Sequence, residues 1–452
     1  MKLFGTNGVR GIANDDMGPE LAMRLGKAIG SWLEKGSKVA LAKDPRTSGD
    51  MLSGAVIAGV LSTGVDVVDV GMVPTPAMQY YVKHRGMDAG IMITASHNPP
   101  QFNGIKVVAG DGTELPRSEE EKIERRYFDE GFRRVEWNEV GRLSSGESAE
   151  LYVGGIISAV DADAIRKRDF TVVLDCANGA STSTSPFLLK KLGCRVISLN
   201  AQPDGLFPGH ESEPSPENLR TLVEAVKATG ADIGIAHDGD ADRVVFVDEK
   251  GNYLYGDRSL AIMAKYMVES GEAKTVVTPV SSSTAVEDVV KEAGGDVVYT
   301  RVGAPIVARK MIELGAMFGG EENGGLIFGR HQFCRDGAMG AAMMLHVMAK
   351  SGRSLYELES EIPRYALYKT KVACPNELKE KVLERLSEMY EKKGKVDRTD
   401  GLKIYTKDGW VLIRPSGTEP IYRIFAEAKD MEIAESLAEK GRENIEKIVN
   451  GF

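Results

Sequence analysis

The segment Leu61–Gly71, LSTGVDVVDVG, joins the end of a predicted helix to a β-branched strand through Gly64. The same helix–glycine–strand unit recurs in LKKLGCRVISLN (Leu189–Asn200) and in VKEAGGDVVYTRVG (Val290–Gly303). Glycine is favoured at this point because it adopts the left-handed backbone that ends many helices. Three copies predict three related α/β modules of roughly 100–150 residues each. Because the unit is also common in unrelated α/β proteins, the repeat alone leaves the relationship between the modules open.

Short apolar runs and helical periodicities alternate around the first copy. The runs at Lys38–Ala42, Val65–Val70 and Gly90–Thr94 predict strands. Helical spacing over 48–63 and 77–84 predicts the helices between them. Such alternation requires crossover connections, so it predicts a largely parallel sheet covered by helices.

The later sequence divides the chain further. We predict a solvated helix over the charged residues 118–136 and a helix over 152–166 that begins the second module. The proline-rich residues 200–218 are predicted to form a loop. The predicted domains are therefore 1–150, 151–250, 251–365 and 366–452.

The fourth predicted domain has a different pattern. Alternation over 365–372 predicts a strand, and a charged helix is expected to start at Asn376. Asp408-Gly409 between apolar runs predicts a hairpin, and 431–449 predicts a closing helix. These elements predict a small α+β domain.

Composition excludes several classes of protein. The 452 residues carry 57 basic and 66 acidic side chains, a formal net charge of −9, which argues against a nucleic-acid binder. No apolar stretch approaches the roughly 18 residues of a membrane span. The start, MKLFG, lacks the apolar region of a secretory signal, so we expect a cytoplasmic protein. The four scattered cysteines are then expected to be reduced thiols: Cys176, Cys194, Cys334 and Cys374.

The first segment with chemical potential is TASHNPP, residues 94–100, directly after a predicted buried strand. Ligands bind at the carboxyl ends of strands in open α/β sheets. The prolines make this loop rigid and hold Ser96 and His97 at the strand end. A serine hydroxyl is a weak nucleophile unless it is activated or already carries the group to be transferred. An ordinary proline turn is the alternative.

The second segment, HDGDADR, places three aspartates at alternate positions between two apolar strands. Asp238, Asp240 and Asp242 are expected to point to one side of an extended loop, where they would repel one another without a cation. An EF-hand is excluded because Arg243 stands where that loop needs glycine. The pattern of aspartyl-phosphate phosphatases fits the first two aspartates and fails at the third. A solvated acidic turn remains the alternative.

Two further loops complete the set. GGEENGG, residues 319–325, surrounds Glu321 and Asn323 with glycines, which suits close approach of sugar hydroxyls or an amine. RPSGTEP, residues 414–420, combines Arg414 with two hydroxyls and suits a phosphate dianion. Either loop alone could be a structural turn.

Together the four loops supply a serine, a cation site, a sugar-binding loop and a phosphate clamp. This combination predicts phosphoryl transfer on a phosphorylated sugar. Phosphate monoesters react so slowly without catalysis that most of the barrier must be removed by positioning and charge stabilisation.

TASHNPP, DGDADR, RPSGTEP and the opening FGTNGVRG, residues 4–11, resemble the α-D-phosphohexomutase superfamily over essentially the whole chain. The opening is similar to the phosphoglucosamine mutase branch, and GEENGG is similar to its archaeal relatives. The resemblance implies three related α/β modules with mixed sheets and a C-terminal α+β domain, arranged around a central cleft.

The resemblance also implies roles for individual residues. Ser96 would be the phosphoserine, and one of its phosphate oxygens would hold one Mg²⁺ per chain together with Asp238, Asp240 and Asp242. Lys106 would act as acid/base or charge stabiliser, with Arg10 and Arg243 at the reaction centre. Sugar hydroxyls would be read by Glu321 and Asn323, and the distal phosphate would be held by Arg414, Ser416, Gly417 and Thr418. A sugar bisphosphate would act as activator.

This sequence departs from the family pattern at two places. In the loop that usually reads G-E-x-S-G-H, Asn323 replaces the serine and Gly325 replaces the histidine. Where many relatives have Gly-His or Gly-Asp, this chain has Gly303-Ala304. Both places bear on sugar recognition or proton transfer.

The expected activity is the interconversion of glucosamine 6-phosphate and glucosamine 1-phosphate. A phosphomannomutase/phosphoglucomutase is the close alternative; a phosphatase and a non-catalytic sugar-phosphate sensor are more distant ones. The expected partner is a small phosphosugar, with no nucleic acid and no membrane, in a monomer or homo-oligomer.

Overall fold

Each of the three helix–glycine–strand units lies in a separate module, and the sheets of the three modules share a strand order. The computed structural model describes residues 3–5, 8–391, 394–416 and 419–451. The first three sheets contain a common four-strand core, ordered β3-β2-β4-β5, β8-β7-β9-β10 and β13-β12-β14-β15. In each core two parallel pairings are followed by an antiparallel one. The prediction of three related modules with mixed sheets is confirmed.

The first module forms a six-stranded sheet, β1-β5-β4-β2-β3-β6. Its elements are β1 (Val9–Ile12), α1 (Pro19–Trp32), β2 (Lys38–Lys43), α2 (Gly49–Leu61), β3 (Asp66–Met72), α3 (Thr75–His84), β4 (Ala89–Ile93), β5 (Phe102–Ala109), α4 (Arg117–Phe128) and β6 (Leu143–Ser145).

The second module forms a five-stranded sheet, β11-β10-β9-β7-β8. Its elements are α5 (Ala149–Ala159), α6 (Ala162–Arg168), β7 (Thr171–Asp175), α7 (Ser185–Lys191), β8 (Arg195–Leu199), α8 (Arg220–Thr229), β9 (Ile233–His237), β10 (Val244–Asp248) and β11 (Tyr253–Leu254).

The third module forms a five-stranded sheet, β13-β12-β14-β15-β16. Its elements are α9 (Gly256–Glu269), β12 (Thr275–Pro279), α10 (Thr284–Glu292), β13 (Asp296–Thr300), α11 (Ala304–Leu314), β14 (Phe318–Gly320), β15 (Leu326–Phe328), β16 (Gln332–Arg335), α12 (Gly337–Ser351) and α13 (Leu355–Ser360).

The last domain is an antiparallel sheet, β17-β21-β20-β19-β18, packed against two helices. Its elements are β17 (Ala366–Ala373), α14 (Lys379–Glu391), β18 (Val396–Asp397), β19 (Leu402–Tyr405), β20 (Gly409–Pro415), β21 (Ile421–Ala428) and α15 (Met431–Val449). The predicted hairpin is confirmed, with Tyr405 opposite Trp410. The closing helix has the predicted bounds.

Two predicted helices differ from the structure. The helix predicted over 118–136 ends at Phe128, since Glu130 has a left-handed backbone with φ of 52° and the following chain is held by tertiary contacts. There Arg133 donates hydrogen bonds to three backbone carbonyls. The helix predicted over 152–166 is two helices, because the Asp161 carboxylate accepts a hydrogen bond from Ala164 N and caps a new one.

The hydrophobic core ties the first three modules together. One cluster of buried side chains runs from Tyr80 through Tyr152 to Met339, across all three. The last domain has a core of its own, and a small cluster around Val280, Trp410 and Leu412 joins it to the third module. Among the helices in the described ranges, none is both long and apolar enough to span a membrane.

Candidate active site

Three of the four predicted loops occupy the same position in their modules. Each follows the third core strand and turns into its antiparallel partner: residues 94–101 join β4 to β5, 238–243 join β9 to β10, and 321–325 join β14 to β15. The repeated fold therefore presents one chemical loop per module at an equivalent strand end.

Ser96 lies in a strained turn at the end of β4. Its backbone has φ of 53°, a left-handed conformation that is unusual for a residue other than glycine. The residue is 1% exposed, and its Oγ donates a hydrogen bond to Asp238 Oδ2 at 2.7 Å. The first and second modules thus meet at this serine. Strained backbone held inside a protein is typical of functional sites.

Arg46 holds the Ser96 loop, and our sequence analysis missed it. Its buried guanidinium pairs with Asp44 at 3.0 Å and lies over the ring of Phe207. It donates hydrogen bonds to four backbone oxygens of the loop, those of Ser96, Asn98, Pro99 and Phe102. The available signal was its place in Asp44-Pro45-Arg46, directly after strand β2.

The three aspartates converge as predicted, although their loop is a turn rather than an extended segment. Ala241 N donates to Asp238 O, and Ala241 has a left-handed backbone. One carboxylate oxygen from each of Asp238, Asp240 and Asp242 lies within 4.8 Å of the others, and all three side chains are buried. The turn brings the carboxylates together in the way an extended loop would not.

The residues fit a divalent cation. Two buried carboxylate oxygens, Asp240 Oδ1 and Asp242 Oδ1, have no hydrogen-bond partner among the described residues. Buried unpartnered carboxylate oxygens are costly, and a hard cation would compensate them. Burial and the neighbouring carboxylates together raise the pKa of Asp238 to about 7 against the opposing charge of Arg243.

Cations surround this cluster. Lys106 Nζ donates to Asp240 Oδ2 at 2.8 Å, and the hydroxyl of Thr75, which the sequence did not indicate, donates to the same oxygen. Burial disfavours the ammonium, but the charges of Asp240 and Asp242 outweigh it and raise the pKa of Lys106. Arg243 Nε donates to Asp238 Oδ2 at 3.1 Å.

Arg243 and Arg10 also reach other parts of the loops. The Arg243 guanidinium is held by both carboxylate oxygens of Glu213, a residue the sequence analysis did not single out. Arg10 Nη1 donates to Asn98 Oδ1 at 2.7 Å in the Ser96 loop. Burial lowers the pKa of Arg10, and among the described residues its Nε has no hydrogen-bond partner. Arg10 thus contacts the loop that carries Ser96, and Arg243 bonds the same Asp238 oxygen that accepts from Ser96 Oγ.

The third-module loop is connected to the aspartates by a residue that has no sequence motif. Arg335, from β16, donates to Glu321 Oε2 at 3.1 Å and to Asp242 Oδ2. The other oxygen of Glu321 accepts a hydrogen bond from Gly303 N at 3.1 Å. Asn323 Oδ1 accepts from Gly325 N and its side chain is otherwise exposed.

The fourth loop belongs to the last domain, at the end of β20. Arg414 Nε lies 3.1 Å from Asp400 Oδ2, and the same carboxylate oxygen accepts a hydrogen bond from Val302 N in the third module. Ser416 Oγ accepts a hydrogen bond from Glu419 N. The other two predicted clamp residues, Gly417 and Thr418, lie outside the described residues. Val302 adjoins Gly303, so Asp400 connects the clamp to the Glu321 loop.

Family models match this chain in order. The matching models are described as Phosphoglucomutase/phosphomannomutase: alpha/beta/alpha domain I over residues 1–134, domain II over 150–251, domain III over 255–365, and the C-terminal domain over 370–443.

Relatives of full length support the same match. The chain is 46% identical to a phosphoglucomutase/phosphomannomutase of Thermococcus kodakarensis, with 100% of both chains covered. It is 43% identical to a phosphoglucosamine/phosphogalactosamine mutase of Sulfurisphaera tokodaii, covering 100% of this chain and 99% of that one. A crystal structure of a phosphoglucomutase/phosphomannomutase family protein from Burkholderia thailandensis superimposes with a TM-score of 0.88 at 29% identity, covering 98% and 97% of the two chains.

Proposed function

This chain belongs to the phosphoglucomutase/phosphomannomutase family of phosphohexomutases, and we propose that it interconverts glucosamine 6-phosphate and glucosamine 1-phosphate through a phosphorylated Ser96. The observation that carries this proposal is the position of the Ser96 hydroxyl. It is buried, held in a strained turn and bonded to Asp238, within a cluster of three carboxylates to which Lys106, Arg243 and Arg335 donate hydrogen bonds.

The family resemblance implies the following chemistry, and these contacts support it. Phosphoserine 96 gives its phosphoryl group to the free sugar hydroxyl, the bisphosphate turns end over end, and Ser96 takes back the other phosphoryl group. The three aspartates and a phosphoserine oxygen would hold one Mg²⁺, which supplies positive charge against the phosphoryl oxygens. Lys106, Arg243 and Arg10 add fixed positive charge around the same oxygens. A sugar bisphosphate would phosphorylate an empty Ser96 and so activate the enzyme.

Each domain then has one task. Residues 1–150 carry the phosphoserine loop, and residues 151–250 carry the metal loop. Residues 251–365 recognise the sugar through Glu321 and Asn323. Residues 366–452 hold the distal phosphate through the clamp: Arg414, Ser416, Gly417 and Thr418.

Glucosamine is our first choice of sugar because of Glu321. The residue is 4% exposed, and both oxygens have fixed donors, so its carboxylate has a set orientation. A fixed carboxylate favours a sugar that carries an amine over one that carries a hydroxyl. The name of the Sulfurisphaera tokodaii relative agrees with this choice.

A phosphoglucomutase/phosphomannomutase is the second candidate, favoured by the name of the relative that is 46% identical. A coupled assay with the 6-phosphates of glucosamine, glucose and mannose distinguishes the two. We expect the highest kcat/KM for glucosamine 6-phosphate. A higher value for glucose or mannose would replace our choice of sugar, and free phosphate as the main product would reject the mutase.

The variant Glu321→Gln tests the recognition argument. It should lower kcat/KM for glucosamine 6-phosphate at least fivefold more than for glucose 6-phosphate. Glu322→Gln is the matched control, because it makes the same change one residue on and leaves the contacts of Glu321 in place. An equal loss with both sugars would mean that Glu321 reads a hydroxyl they share.

A further inference from the structure

Arg335 occupies the space beside Gly325, one of the two departures from the family pattern. A Cβ atom at Gly325 would lie 2.2 Å from Arg335 Cδ and 3.0 Å from its Cγ. The backbone of Gly325 is outside the left-handed region, so conformation does not require glycine here. Glycine is required here because the Arg335 side chain occupies the space that a Cβ atom would need. The glycine and the arginine therefore form one packing unit.

Arg335 bridges two loops with different tasks. It extends from β16, where it lies opposite Ile327 of β15, and its side chain is 6% exposed. One guanidinium nitrogen donates to Asp242 of the metal loop and another to Glu321 of the sugar loop. Because the guanidinium is planar, it fixes the directions of both hydrogen bonds at once, which an ammonium group cannot do.

The bridge matters most for Glu321. Burial raises the pKa of this carboxyl group, and the charge of Arg335 opposes that shift. Arg335 therefore provides both an orientation and a counter-charge for the carboxylate. Without it, the Glu321 carboxylate would keep one hydrogen bond among the described residues, the one from Gly303 N.

The second departure from the family pattern borders the same side chain. Ala304 and Arg335 line a cavity of about 10 Å³ together with Asp242 and Glu114. A cavity of this size holds about one water molecule. A larger side chain at position 304 would take up this space and crowd Arg335. Both departures thus leave room for one arginine.

We propose that Arg335 is a positioning residue for sugar recognition: it takes the volume left by Gly325 and Ala304, fixes Glu321 towards the sugar and links it to Asp242. This role rests on the proposed function, because it concerns the sugar that the mutase selects. It predicts that Gly325 and Arg335 act on sugar selection as a unit.

The test compares Arg335→Gln, Arg335→Lys, Gly325→Ala and the double variant Gly325→Ala/Arg335→Gln. The ratio of kcat/KM for glucosamine 6-phosphate over glucose 6-phosphate should fall at least threefold in every one. The double variant should fall no further than the lower single variant, since both substitutions disable one unit. The matched control is Arg330→Gln on the same hairpin, which loses only a surface pair with Glu272 and should stay within twofold of wild type.

A second readout separates this proposal from the proposed function. Affinities for the same two sugar phosphates are measured by thermal-shift titration, which needs no turnover. Failure of the wild type to isomerise any hexose phosphate would reject the proposed function, and the ratio of affinities would still decide the role of Arg335. An unchanged ratio in Arg335→Gln, with lower turnover or a lower melting temperature, would reject the positioning role. If the selectivity losses of the two single variants multiply in the double variant, Gly325 and Arg335 do not act as a unit.

Discussion

Two parts of the candidate active site are built differently: a reaction end around Ser96 and the three aspartates, and a recognition end around Glu321 and Arg414. At the reaction end, Ser96 bonds Asp238 and Lys106 bonds Asp240, and Ser96 and the aspartates lie in motifs that can be read from the sequence. At the recognition end, the motif residues Glu321 and Arg414 contact partners that belong to no motif. The reaction end thus joins motif residues to one another, with Thr75 and Arg335 added from outside the motifs. The recognition end pairs each motif residue with a residue outside any motif.

Ser96→Ala should give the largest effect and should separate the two ends. It removes the proposed phosphoryl carrier, so we expect turnover to fall by more than about 10³-fold, as for other essential nucleophiles. Affinity for glucosamine 6-phosphate, measured by thermal shift, should remain within threefold because the recognition end is untouched. The control is Ser212→Ala, which loses weak contacts to the same loop at 3.4 Å. Turnover of Ser96→Ala within tenfold of wild type would contradict the carrier role.

Asp240→Asn should have the next largest effect. The substitution keeps the shape of the side chain and removes one negative charge from the cluster that faces Lys106. We expect Mg²⁺ affinity, measured by isothermal titration calorimetry, to fall by at least about 10-fold, the lower end of the loss seen when even an outer-shell partner is removed, with activity falling in parallel. Asp232→Asn, a surface carboxylate of the same module that accepts from Thr171 N, should leave the affinity unchanged. Equal Mg²⁺ affinity in Asp240→Asn and wild type would show that Asp240 does not hold the cation.

Ser96 and the aspartates could be predicted because each lies in a short motif. The aspartates alternate in a short connection between two apolar strands, and its turn brings their carboxylates together. Similarly, TASHNPP after a buried strand places Ser96 at the strand end. Only the predicted shape of the aspartate loop was wrong. Its turn depends on the left-handed backbone of Ala241, which the sequence pattern does not indicate.

The remaining residues could not be predicted because they act across the fold. Arg335 reaches Asp242 over 93 positions of sequence, and Thr75 reaches Asp240 over 165. No spacing rule links such positions, so only the packing of the modules brings them together. Similarly, the helix predicted over 152–166 divides in two because Asp161 caps a new helix. Hydrophobic periodicity locates helices and strands well, but a capping residue inside a periodic segment can divide one helix into two.

Arg414→Ala should give a smaller effect that is confined to the recognition end. An arginine on a phosphate contributes about 1.5–3 kcal/mol, which corresponds to about 10–100-fold in affinity. Both monophosphates should bind more weakly, and more bisphosphate should leak into solution, since the clamp contacts phosphate in either sugar orientation. Phosphorylation of Ser96, measured by intact mass, should persist. Arg442→Ala, on the surface of α15, is the control. Loss of affinity for only one of the two monophosphates would reject a shared clamp.

Lys403 should give the smallest effect, a dependence of stability on pH where the last domain meets the third module. Its buried ammonium donates to Val280 O at 2.7 Å and lies 3.9 Å from the ring of Trp410. Burial lowers the pKa of Lys403 from 10.5 to about 8, although Glu427 and Asp397 oppose the shift. Between pH 8 and 10.5 the unfolded chain therefore binds more protons at this lysine than the folded chain does. Stability from this residue must rise with pH in that window.

The variant Lys403→Met isolates this contribution, because other titrating groups are common to both proteins. The free energy of unfolding of wild type minus that of Lys403→Met should increase by about 1–3 kcal/mol between pH 8 and 10.5 and stay constant below it. Sugar selectivity should not change, since Lys403 joins the domains without reaching Glu321. A difference that is flat across the window would mean that Lys403 keeps an ordinary pKa in the folded protein.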